Sequence, residues 1–343
     1  MRVPPSPRTY AEAGVDVTKV SEIHKSIDRI LAKTFQTRKG KFGQVLGVHE
    51  HYAGLIDIGN DYALALHSDG VGTKVLVAEA CHKFDTIGID CIAMNVNDVL
   101  CLGAEPIALV DYLALEKPQP SLVTEIMKGL QHGAVEAGTA IVSGETAIVP
   151  DLVHGLDLSA TVIGLVKKNR IITGEDAEPG DIVLGLRSSG IHSNGLTLAR
   201  KLYPLQRTSR SILNELLTPT RIYVKSVAKL LRSGVRIHGL AHITGGAYSK
   251  LKRIGTRARV GFLLDNLTEP QSIFSKLQSK GRITDREMFR TFNMGTGFLI
   301  VCPSKSEKTI RRLLPESRRV GNVTDSLEVL ISRKGRRICV ESW

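Results

Sequence analysis

The sequence predicts a mixed α/β fold, with α+β character, divided into two domains at 1–170 and 171–343. The chain has 343 residues, about twice the length of a typical single domain. Short apolar runs of strand character alternate with amphipathic helical segments in both halves. The charge is divided as well: residues 1–170 contain 16 Lys and Arg against 20 Asp and Glu, whereas the second half contains 30 against 14.

The first half is predicted to begin with a surface helix capped by Ser21. Its apolar residues, which follow the spacing of one helical face, are Ile23, Ile27, Ile30 and Leu31. A second helix is expected to begin at Ser121 and to end at Gly138, because glycine commonly ends helices. The inward residues of this helix are Val123, Ile126, Met127, Leu130 and Ala134. Strands are predicted at 63–66, 109–115, 139–142 and 158–166.

The second half repeats the alternation after a polar segment at 167–170, where the domain boundary is placed. Strands are predicted at 181–186, 260–264 and 298–301, and helices at 195–202, 219–231 and 247–254. No linker is rich enough in Pro, Gly or Ser to indicate freely tethered domains.

The composition excludes several protein classes. Hydrophobic residues make up 42% and charged residues 23% of the chain, and no apolar stretch of 18 residues is present to span a bilayer. The five cysteines are scattered and form no CxxC pair, so neither a disulfide framework nor a zinc site is indicated. Residues 1–7 do not resemble a secretory signal. We therefore expect a cytoplasmic protein with no membrane partner.

The net charge of +12 arises in the second half, which carries +16 against −4 in the first. Such a field attracts phosphorylated anions. Aromatic residues make up only 5% of the chain and do not interleave with the basic clusters, so bases would find few stacking partners. We expect a solvated basic surface that steers phosphorylated substrate, with no specific nucleic-acid partner. A nucleic-acid-binding module is an alternative that rests on net charge alone.

A glycine turn with the sequence DGVGTK at 69–74 follows the first predicted strand. It is not a Walker loop, and it is not GxGxxG because position 75 is valine. Its glycines let backbone N–H groups approach an anion, Lys74 can contact a phosphate, and Asp69 can hold Mg²⁺. A plain turn with a surface salt bridge would use similar residues.

Acidic and amide side chains interrupt the apolar stretch 87–102. Asp90 and Asp98 are eight residues apart, so if this stretch is helical they lie near one face, because two turns take about 7.2 residues. A buried carboxylate needs a cation or hydrogen-bond donors. Together with Asp69 these acids would provide the oxygen ligands that Mg²⁺ prefers. The alternative is helix capping with one buried hydrogen-bond network.

Three further polar segments follow predicted strands, at 143–146, 188–195 and 242–246. The last two precede predicted helices, whose free N–H donors suit the phosphate end of a substrate, and we assign that phosphate to 244–246. A lone histidine is usually structural, but His192 and His242 stand beside glycines and small hydroxylated residues, so a functional role and a structural one are equal alternatives.

Ten short motifs extend through nearly the whole chain. They are YAEAGVD at 10–16, DGVGTK at 69–74, DTIGID at 85–90, VND at 96–98, GAEP at 103–106, GET at 144–146, HG at 154–155, HSNG at 192–195, HITGG at 242–246 and the stretch 288–297. In this order and spacing the chain resembles the phosphoribosylformylglycinamidine cyclo-ligase family, the aminoimidazole ribonucleotide synthetases of purine biosynthesis.

The resemblance implies a homodimer in which the amino-terminal domains pair into a shared β-barrel, with the carboxy-terminal α/β domain covering the ATP groove. It also implies an ATP- and Mg²⁺-dependent ligase. This enzyme would convert formylglycinamidine ribonucleotide to aminoimidazole ribonucleotide through an imino-phosphate, with release of ADP and phosphate.

The clusters and the resemblance together define the expected site residues. The catalytic residues are Asp69, Lys74, Asp98 and His192, with Asp69 and Asp98 as the metal ligands and His192 as a candidate for proton transfer. The ATP-binding residues are Asp69, Gly70, Gly72, Thr73, Lys74, Asp90, Asn97, Asp98, Gly144, Glu145 and Thr146. The substrate-binding residues are Ser193, Asn194, Gly195, His242, Thr244, Gly245 and Gly246.

Some positions depart from the family pattern. Ser143 and Ala247 stand where glycine is usual, Ile148 where glutamate is usual, and Met294 where cysteine is usual. These departures leave two alternatives. One is a catalytically silent paralogue that acts as a binding protein. The other is a different ATP-using member of the superfamily, such as a thiamine-monophosphate kinase, although such a protein would lack HSNG, HITGG and the stretch 288–297 together.

Overall fold

The computed structural model describes residues 7–47 and 51–342, which form a mixed α/β structure with two β-sheets. The strands of the first sheet are β1 (Gln44–Leu46), β2 (Gly54–Asp57), β3 (Tyr62–Gly70), β4 (Glu105–Leu115), β5 (Ala140–Ile148) and β6 (Leu156–Lys167). Their order is β1-β2-β3-β6-β4-β5, and only the β4–β5 pair is parallel. The helices of this half are α1 (Val17–Phe35), α2 (Val75–Cys81), α3 (Asp85–Leu100) and α4 (Pro120–Ala137).

The second sheet is also largely antiparallel. Its strands are β7 (Ile182–Arg187), β8 (Gly239–His242), β9 (Gly261–Leu264), β10 (Thr296–Cys302), β11 (Arg318–Thr324), β12 (Glu328–Arg333) and β13 (Arg336–Ser342), in the order β13-β12-β9-β11-β7-β10-β8. The helices are α5 (Leu196–Leu202), α6 (Arg210–Leu217), α7 (Val224–Ser233), α8 (Lys252–Ala258), α9 (Ser272–Gly281), α10 (Asp285–Thr291) and α11 (Glu307–Leu313).

Helix α3 is the buried centre of the first half. It packs against strands β3 and β6 on one side and against α4 on another. Helices α3 and α4 approach so closely that a Cβ added at Gly129 would lie only 1.8 Å from the carbonyl oxygen of Asp85. The polar residues Asp90, Asn97 and Asp98 of α3 are also buried, so they must find partners inside the protein.

The face of the first sheet opposite α3 is open. Along β6, Leu158 and Val162 point inward and are fully buried. Ile141 and Ile148 of the edge strand β5 are partly exposed but pair with the buried residues Leu109 and Leu115, so they lie on the α3 side. On the open face, strands β3 and β4 expose Leu66, Val110 and Tyr112, which are between 36% and 44% exposed. Within the described residues nothing covers this surface.

Helix α1 is a surface helix, as predicted. Its apolar side chains Val20, Ile23, Ile27, Ile30 and Leu31 are between 40% and 65% exposed. Among the described residues, no helix has both the length and the apolar character needed to cross a bilayer.

Much of the predicted element pattern is confirmed, as is the mixed α/β class. The segments 63–66, 109–115 and 158–166 lie within β3, β4 and β6. Helix α4 ends at Gly138, which adopts the left-handed conformation with φ of 68°.

Two predicted helix starts are wrong. Helix α1 begins at Val17 rather than after Ser21, because the Oδ1 of Asp16 accepts a hydrogen bond from the backbone N–H of Lys19 at 3.2 Å and so caps the helix. The helix predicted at 219–231 begins only at Val224. Side chains of α3 form hydrogen bonds with the backbone of the five residues before Val224 and prevent a helix there.

Two predicted segments have a different conformation. The polar stretch 143–146 is not a loop but the interior of β5, where it pairs with β4 and faces solvent at the sheet edge. The helix predicted at 247–254 begins as a 3₁₀ helix, Ala247–Leu251, followed by α8. Gly246 and Ala247 have φ of 80° and 44°, so an α-helix cannot start there. The elements that were not predicted are helices α2, α6, α9, α10 and α11 and strands β1, β2, β11, β12 and β13.

Candidate active site

The carboxylate of Asp98 lies where helix α3 meets the second half of the chain. Its Oδ1 accepts a hydrogen bond from the Nδ1 of His242 at 2.7 Å. Its Oδ2 lies 3.5 Å from the Nε2 of His67 and 3.9 Å from the Nζ of Lys250. Burial alone would raise the pKa of Asp98, but the Lys250 ammonium and the His242 hydrogen bond hold that pKa below its ordinary value. Asp98 is therefore an ionised carboxylate.

Asp69 follows His67 on the same face of β3, so it is directed toward Asp98. Its backbone is fixed by Asn95, whose Oδ1 accepts from the Asp69 N–H at 3.1 Å and whose Nδ2 donates to the Asp69 carbonyl at 3.0 Å. Burial raises the pKa of Asp69, and the charge of Asp98 raises it further. Two repelling carboxylates form a donor set that suits a divalent cation.

Lys74 and Asp90 form a buried ion pair. The Nζ of Lys74 lies 2.9 and 2.8 Å from the two oxygens of Asp90 and donates to the carbonyl of Thr218 at 2.6 Å. The ammonium group therefore donates two hydrogen bonds, to Asp90 and to Thr218, and its side chain has no exposed surface. The structure thus places the Lys74 side chain inside the protein and not at the mouth of the glycine turn.

Asp90 and Asn97 hold the segment before α7 against α3. The Oδ1 of Asp90 accepts from the N–H of Thr220 at 2.7 Å and from its hydroxyl at 2.5 Å. The Oδ1 of Asn97 accepts from the N–H of Tyr223 at 2.9 Å, and its Nδ2 donates to the carbonyl of Arg221 at the same distance. Backbone groups that a helix would need are therefore paired with side chains, which explains the late start of α7.

His192 is buried beside this junction. Its ring centroid lies 6.4 Å from that of His242. Its Nε2 accepts from the N–H of Ser189 at 3.3 Å, whereas its Nδ1 has no hydrogen-bond partner among the described residues. Burial, followed by the neighbouring His242, lowers the pKa of His192 well below its ordinary value. The imidazole is therefore neutral.

The segment 193–195 contacts the segment 242–246. The Nδ2 of Asn194 donates to the carbonyl of Thr244 at 3.4 Å and also to that of Thr291. The Oγ of Ser193 lies 3.4 Å from the hydroxyl of Thr220. Gly195 has φ of 72°, and a Cβ there would lie 2.2 Å from the ring of Phe292, so only glycine fits. The two predicted substrate loops are thus neighbours.

The glycine turn after β3 reaches the same region. Gly70 closes the strand, and Gly72 has φ of 65°. The hydroxyl of Thr73 lies 3.1 Å from that of Thr197 at the start of α5. This contact brings the turn beside the loop that precedes α5.

The triplet Gly144, Glu145 and Thr146 is not brought to Asp98. Strand pairing aligns Asp69 with Ala160, Ala160 with Asp111, and Asp111 with Gly144. Three strand spacings put Gly144 about 14 Å from Asp69. The triplet therefore belongs to a different part of the surface.

Two residues of the site were missed from the sequence, His67 and Lys250. His67 stands two residues before Asp69, and the two-residue period of a strand puts both on one face, so this signal was available. Lys250 gave no signal, because the 3₁₀ helix that directs it toward Asp98 was read as an α-helix.

Elsewhere in the described part of the chain, Glu178, Asp181 and His238 form a group of three ligand-type side chains. The Nδ1 of His238 donates to the Oδ2 of Asp181 at 2.6 Å. Asp181 precedes β7 and His238 precedes β8, at the strand ends opposite those that lead to His192 and His242. The group is therefore remote from Asp98.

Two family profiles match the sequence. The profile described as AIR synthase related protein, N-terminal domain, matches residues 50–166, and the corresponding C-terminal domain profile matches residues 178–331. The structure is similar to hydrogenase maturation protein HypE in complex with ATP, with a TM-score of 0.65 at 21% identity over 92% of this chain and 94% of that one. It is also similar to thiamine-monophosphate kinase from Stenotrophomonas maltophilia, with a TM-score of 0.63 at 18% identity over 89% and 96% of the two chains. At these identities the likeness shows a shared fold.

Two curated relatives are much closer in sequence. The phosphoribosylformylglycinamidine cyclo-ligase of Pyrococcus furiosus is 52% identical over 336 residues, covering 95% of this chain and 98% of the relative. The protein of the same name from Methanocaldococcus jannaschii is 46% identical over 336 residues, covering 94% and 93%. The chain therefore belongs to the phosphoribosylformylglycinamidine cyclo-ligase family, within the AIR synthase related proteins.

Proposed function

We propose that this chain closes the imidazole ring of formylglycinamidine ribonucleotide, using ATP and releasing aminoimidazole ribonucleotide, ADP and phosphate in purine biosynthesis. The structural observation that carries the proposal is the pair of carboxylates Asp69 and Asp98 at the junction of the two halves. This pair occurs in a chain that matches named cyclo-ligases over nearly its full length.

The reaction needs an activated oxygen. An amide oxygen is a poor leaving group, so transfer of the γ-phosphoryl group of ATP to the formyl oxygen gives an imino-phosphate. The neighbouring nitrogen then bonds to this carbon, and phosphate leaves with the oxygen. Phosphoryl transfer depends mainly on positioning and charge neutralisation, which explains why a protein would gather fixed carboxylates and buried polar groups here.

Asp69 and Asp98 fit Mg²⁺, because hard carboxylate oxygens bind this ion together with substrate phosphates. When bound, Mg²⁺ would neutralise phosphate charge. The protein prepares the two acids: His242 orients Asp98, and Asn95 fixes the backbone of Asp69. The neutral His192 is the proposed group for proton transfer on ring closure. Its Nε2 accepts from Ser189, so Nδ1 carries the ring proton and Nε2 holds the lone pair that can take a proton.

The remaining assignments follow from position. We place the ATP phosphates on the turn formed by Gly70, Gly72 and Thr73, beside Asp69, and the substrate phosphate on 244–246 beside Asn194. Lys74, Asp90 and Asn97 act indirectly, by fixing the segment before α7. Gly144, Glu145 and Thr146 are assigned to the end of the nucleotide distant from Asp69.

A homodimer is part of the proposal. The open apolar face of the first sheet supports it, since a large exposed apolar patch commonly marks an interface. Pairing of two such sheets would form the shared barrel, and the second half would then cover the ATP groove of its own subunit. The last strand of the first sheet ends at Lys167, and the first strand of the second sheet begins at Ile182. This gap supports the domain division at 170.

The surroundings of the enzyme are proposed from its composition. Five unpaired cysteines suit a reducing cytoplasm. The basic second half is proposed to steer phosphorylated substrate and to bind no nucleic acid specifically.

The test is ATP turnover by the purified chain with Mg²⁺, measured with and without formylglycinamidine ribonucleotide. We expect turnover only with the ribonucleotide, with one aminoimidazole product formed for each ADP. The proposal would be contradicted if the rate of ATP turnover did not depend on the ribonucleotide, or if no ATP were turned over at all.

A further inference from the structure

Lys250 occupies the gap between the two proposed ligand sites. Its Nζ lies 3.9 Å from the Oδ2 of Asp98 and also donates to the hydroxyl of Thr244. Its side chain is only 13% exposed. Asp98 belongs to the proposed metal site, and Thr244 begins the proposed phosphate loop. One ammonium group thus contacts a member of each.

The contact with Asp98 is long and shared. The carboxylate already accepts a 2.7 Å hydrogen bond from His242, and its other oxygen lies 3.5 Å from His67. On its other side Lys250 lies over the ring of Tyr52, 5.0 Å from the centroid, and the guanidinium of Arg253 lies 4.4 Å from the same centroid. The ammonium is therefore desolvated and flanked by a second cation, without a close carboxylate of its own.

No other lysine in the described part of the chain forms an ion pair with Asp98. The lysine of the glycine turn, Lys74, is fully buried and donates to Asp90 and Thr218. A positive charge for a phosphate at 244–246 must therefore come from elsewhere, and Lys250 already touches the first residue of that loop.

We propose that Lys250 serves as a movable cation, which neutralises Asp98 while the metal site is empty and binds the phosphate of the ribonucleotide once Mg²⁺ and ATP are present. The inference rests on the proposed function and adds a substrate-binding residue to it. A lysine suits this role, because its flexible stem carries a compact charge that can move between two anions. Mg²⁺ and the ammonium group then compete for Asp98, whereas the phosphate and Asp98 compete for the ammonium group.

This competition predicts opposite effects of one substitution. Lys250→Met removes the charge and keeps the length of the side chain. Mg²⁺ alone, measured by calorimetry without nucleotide, should bind about threefold to tenfold more tightly, because its competitor is gone. Inorganic phosphate alone should bind at least about tenfold more weakly, because it loses a charged hydrogen-bond donor.

Steady-state kinetics should also separate the effect on ribonucleotide binding from the effect on ATP binding. The KM for the ribonucleotide should rise at least about tenfold in Lys250→Met, while the KM for ATP stays within about twofold of the unmodified enzyme. Lys250→Arg should restore most of the phosphate affinity. The matched control is Lys252→Met, two residues along the chain, whose side chain is exposed and pairs with Glu341 at 3.7 Å. This control should change neither binding constant.

Two results would overturn the inference. In the first, Mg²⁺ binding is unchanged or weaker in Lys250→Met, which is what a purely structural lysine would give. In the second, Lys250→Met, Lys250→Gln and Lys250→Arg all fail to fold, which would also assign the residue to structure. The two binding measurements need no turnover, so they can be interpreted even if the cyclo-ligase proposal fails. A failure of that proposal would be seen separately, because the unmodified enzyme would form no aminoimidazole product.

Discussion

The Nδ1 of His242 donates a 2.7 Å hydrogen bond to the Oδ1 of Asp98, and this bond joins the end of β8 in the second half to helix α3 in the first. Burial lowers the pKa of His242, against the opposing effect of Asp98, so the ring is neutral and carries its proton on Nδ1. The histidine thus orients the carboxylate without cancelling its charge. Asp98 is left free to attract a cation.

Asp98→Asn removes this charge with almost no change in shape. We expect kcat for product formation to fall at least about 100-fold, because charge stabilisation is the main contribution to phosphoryl transfer. Glu136→Gln on the exposed side of α4 is the control and should leave kcat unaffected. Near-normal turnover in Asp98→Asn would remove Asp98 from the metal site.

Asp69→Asn should separate activity from stability. The pKa of Asp69 is raised in the folded protein, by burial and then by Asp98. In the unfolded chain this group ionises at lower pH, so the native state is progressively destabilised as the pH rises through the folded pKa. Without Mg²⁺ at pH 7 the variant should therefore melt at a higher temperature than the unmodified protein while losing turnover.

The pH dependence of the melting temperature tests whether the ionised Asp69 destabilises the native state. The melting difference should shrink as the pH is lowered toward the ordinary pKa of aspartate, because both proteins are then neutral at position 69. Added Mg²⁺ should stabilise the unmodified protein more than Asp69→Asn. A variant that melts at a lower temperature at pH 7 would show that Asp69 is held by favourable contacts instead.

Lys74→Met should damage stability more than nucleotide binding. The change leaves the buried Asp90 without its cation, and breaking such a pair costs roughly 3–5 kcal/mol. The double variant Lys74→Met/Asp90→Asn should recover part of this loss, because no unpaired charge is then buried. Chemical denaturation measures both. If Lys74→Met has normal stability and its only defect is a raised KM for ATP, Lys74 contacts a phosphate of ATP directly, as the motif suggests.

The open face of the first sheet should determine the oligomeric state. Val110 and Tyr112 lie on adjacent outward positions of β4 and are 40% and 44% exposed. Val110→Glu/Tyr112→Arg should convert a dimer into a monomer in light scattering, since charges do not pack in an apolar interface. Val135→Glu on α4 is the control, because Val135 is 71% exposed away from that face. A monomeric unmodified protein would contradict the shared barrel.

Local patterns predicted much of the first half of the fold. Short apolar runs identified β3, β4 and β6, and the helical period with Gly138 identified α4. Some errors had local causes, such as the Asp16 cap that starts α1 early, whereas another arose where tertiary contacts override local preference. The segment at 219–223 looks helical, yet its N–H groups are taken by Asp90 and Asn97, which lie more than 120 residues earlier.

The site was predicted unevenly for a similar reason. The stretch that contains Asp90 and Asp98 is helical, which is the condition under which their spacing predicts one shared face. Spacing alone could not show that Asp90 pairs with Lys74 while Asp98 pairs with His242. Contacts of this kind depend on how the two halves meet. The order of the motifs contains no information on that geometry. For this reason the sequence predicted neither the role of Lys250 nor the position of Gly144 relative to Asp69.

The proposed substrate-phosphate loop is best tested at Gly245. Gly246 has φ of 80°, so Gly246→Val would strain the backbone whatever the loop binds. Gly245 is exposed, its φ lies outside the left-handed region, and an added Cβ would meet only the Oδ1 of Asn194 at 3.5 Å, an ordinary contact. Gly245→Ala should therefore fold normally and still place a methyl group where an anion would approach the backbone N–H groups.

We expect Gly245→Ala to raise the KM for the ribonucleotide about threefold to tenfold, with the KM for ATP and the melting temperature unchanged. Gly246→Val should instead lower the melting temperature, which identifies the effect of strain and separates it from that of a blocked anion site. If Gly245→Ala binds the ribonucleotide as the unmodified protein does, the phosphate does not lie on this loop, and the basic residues of the second half must provide its site.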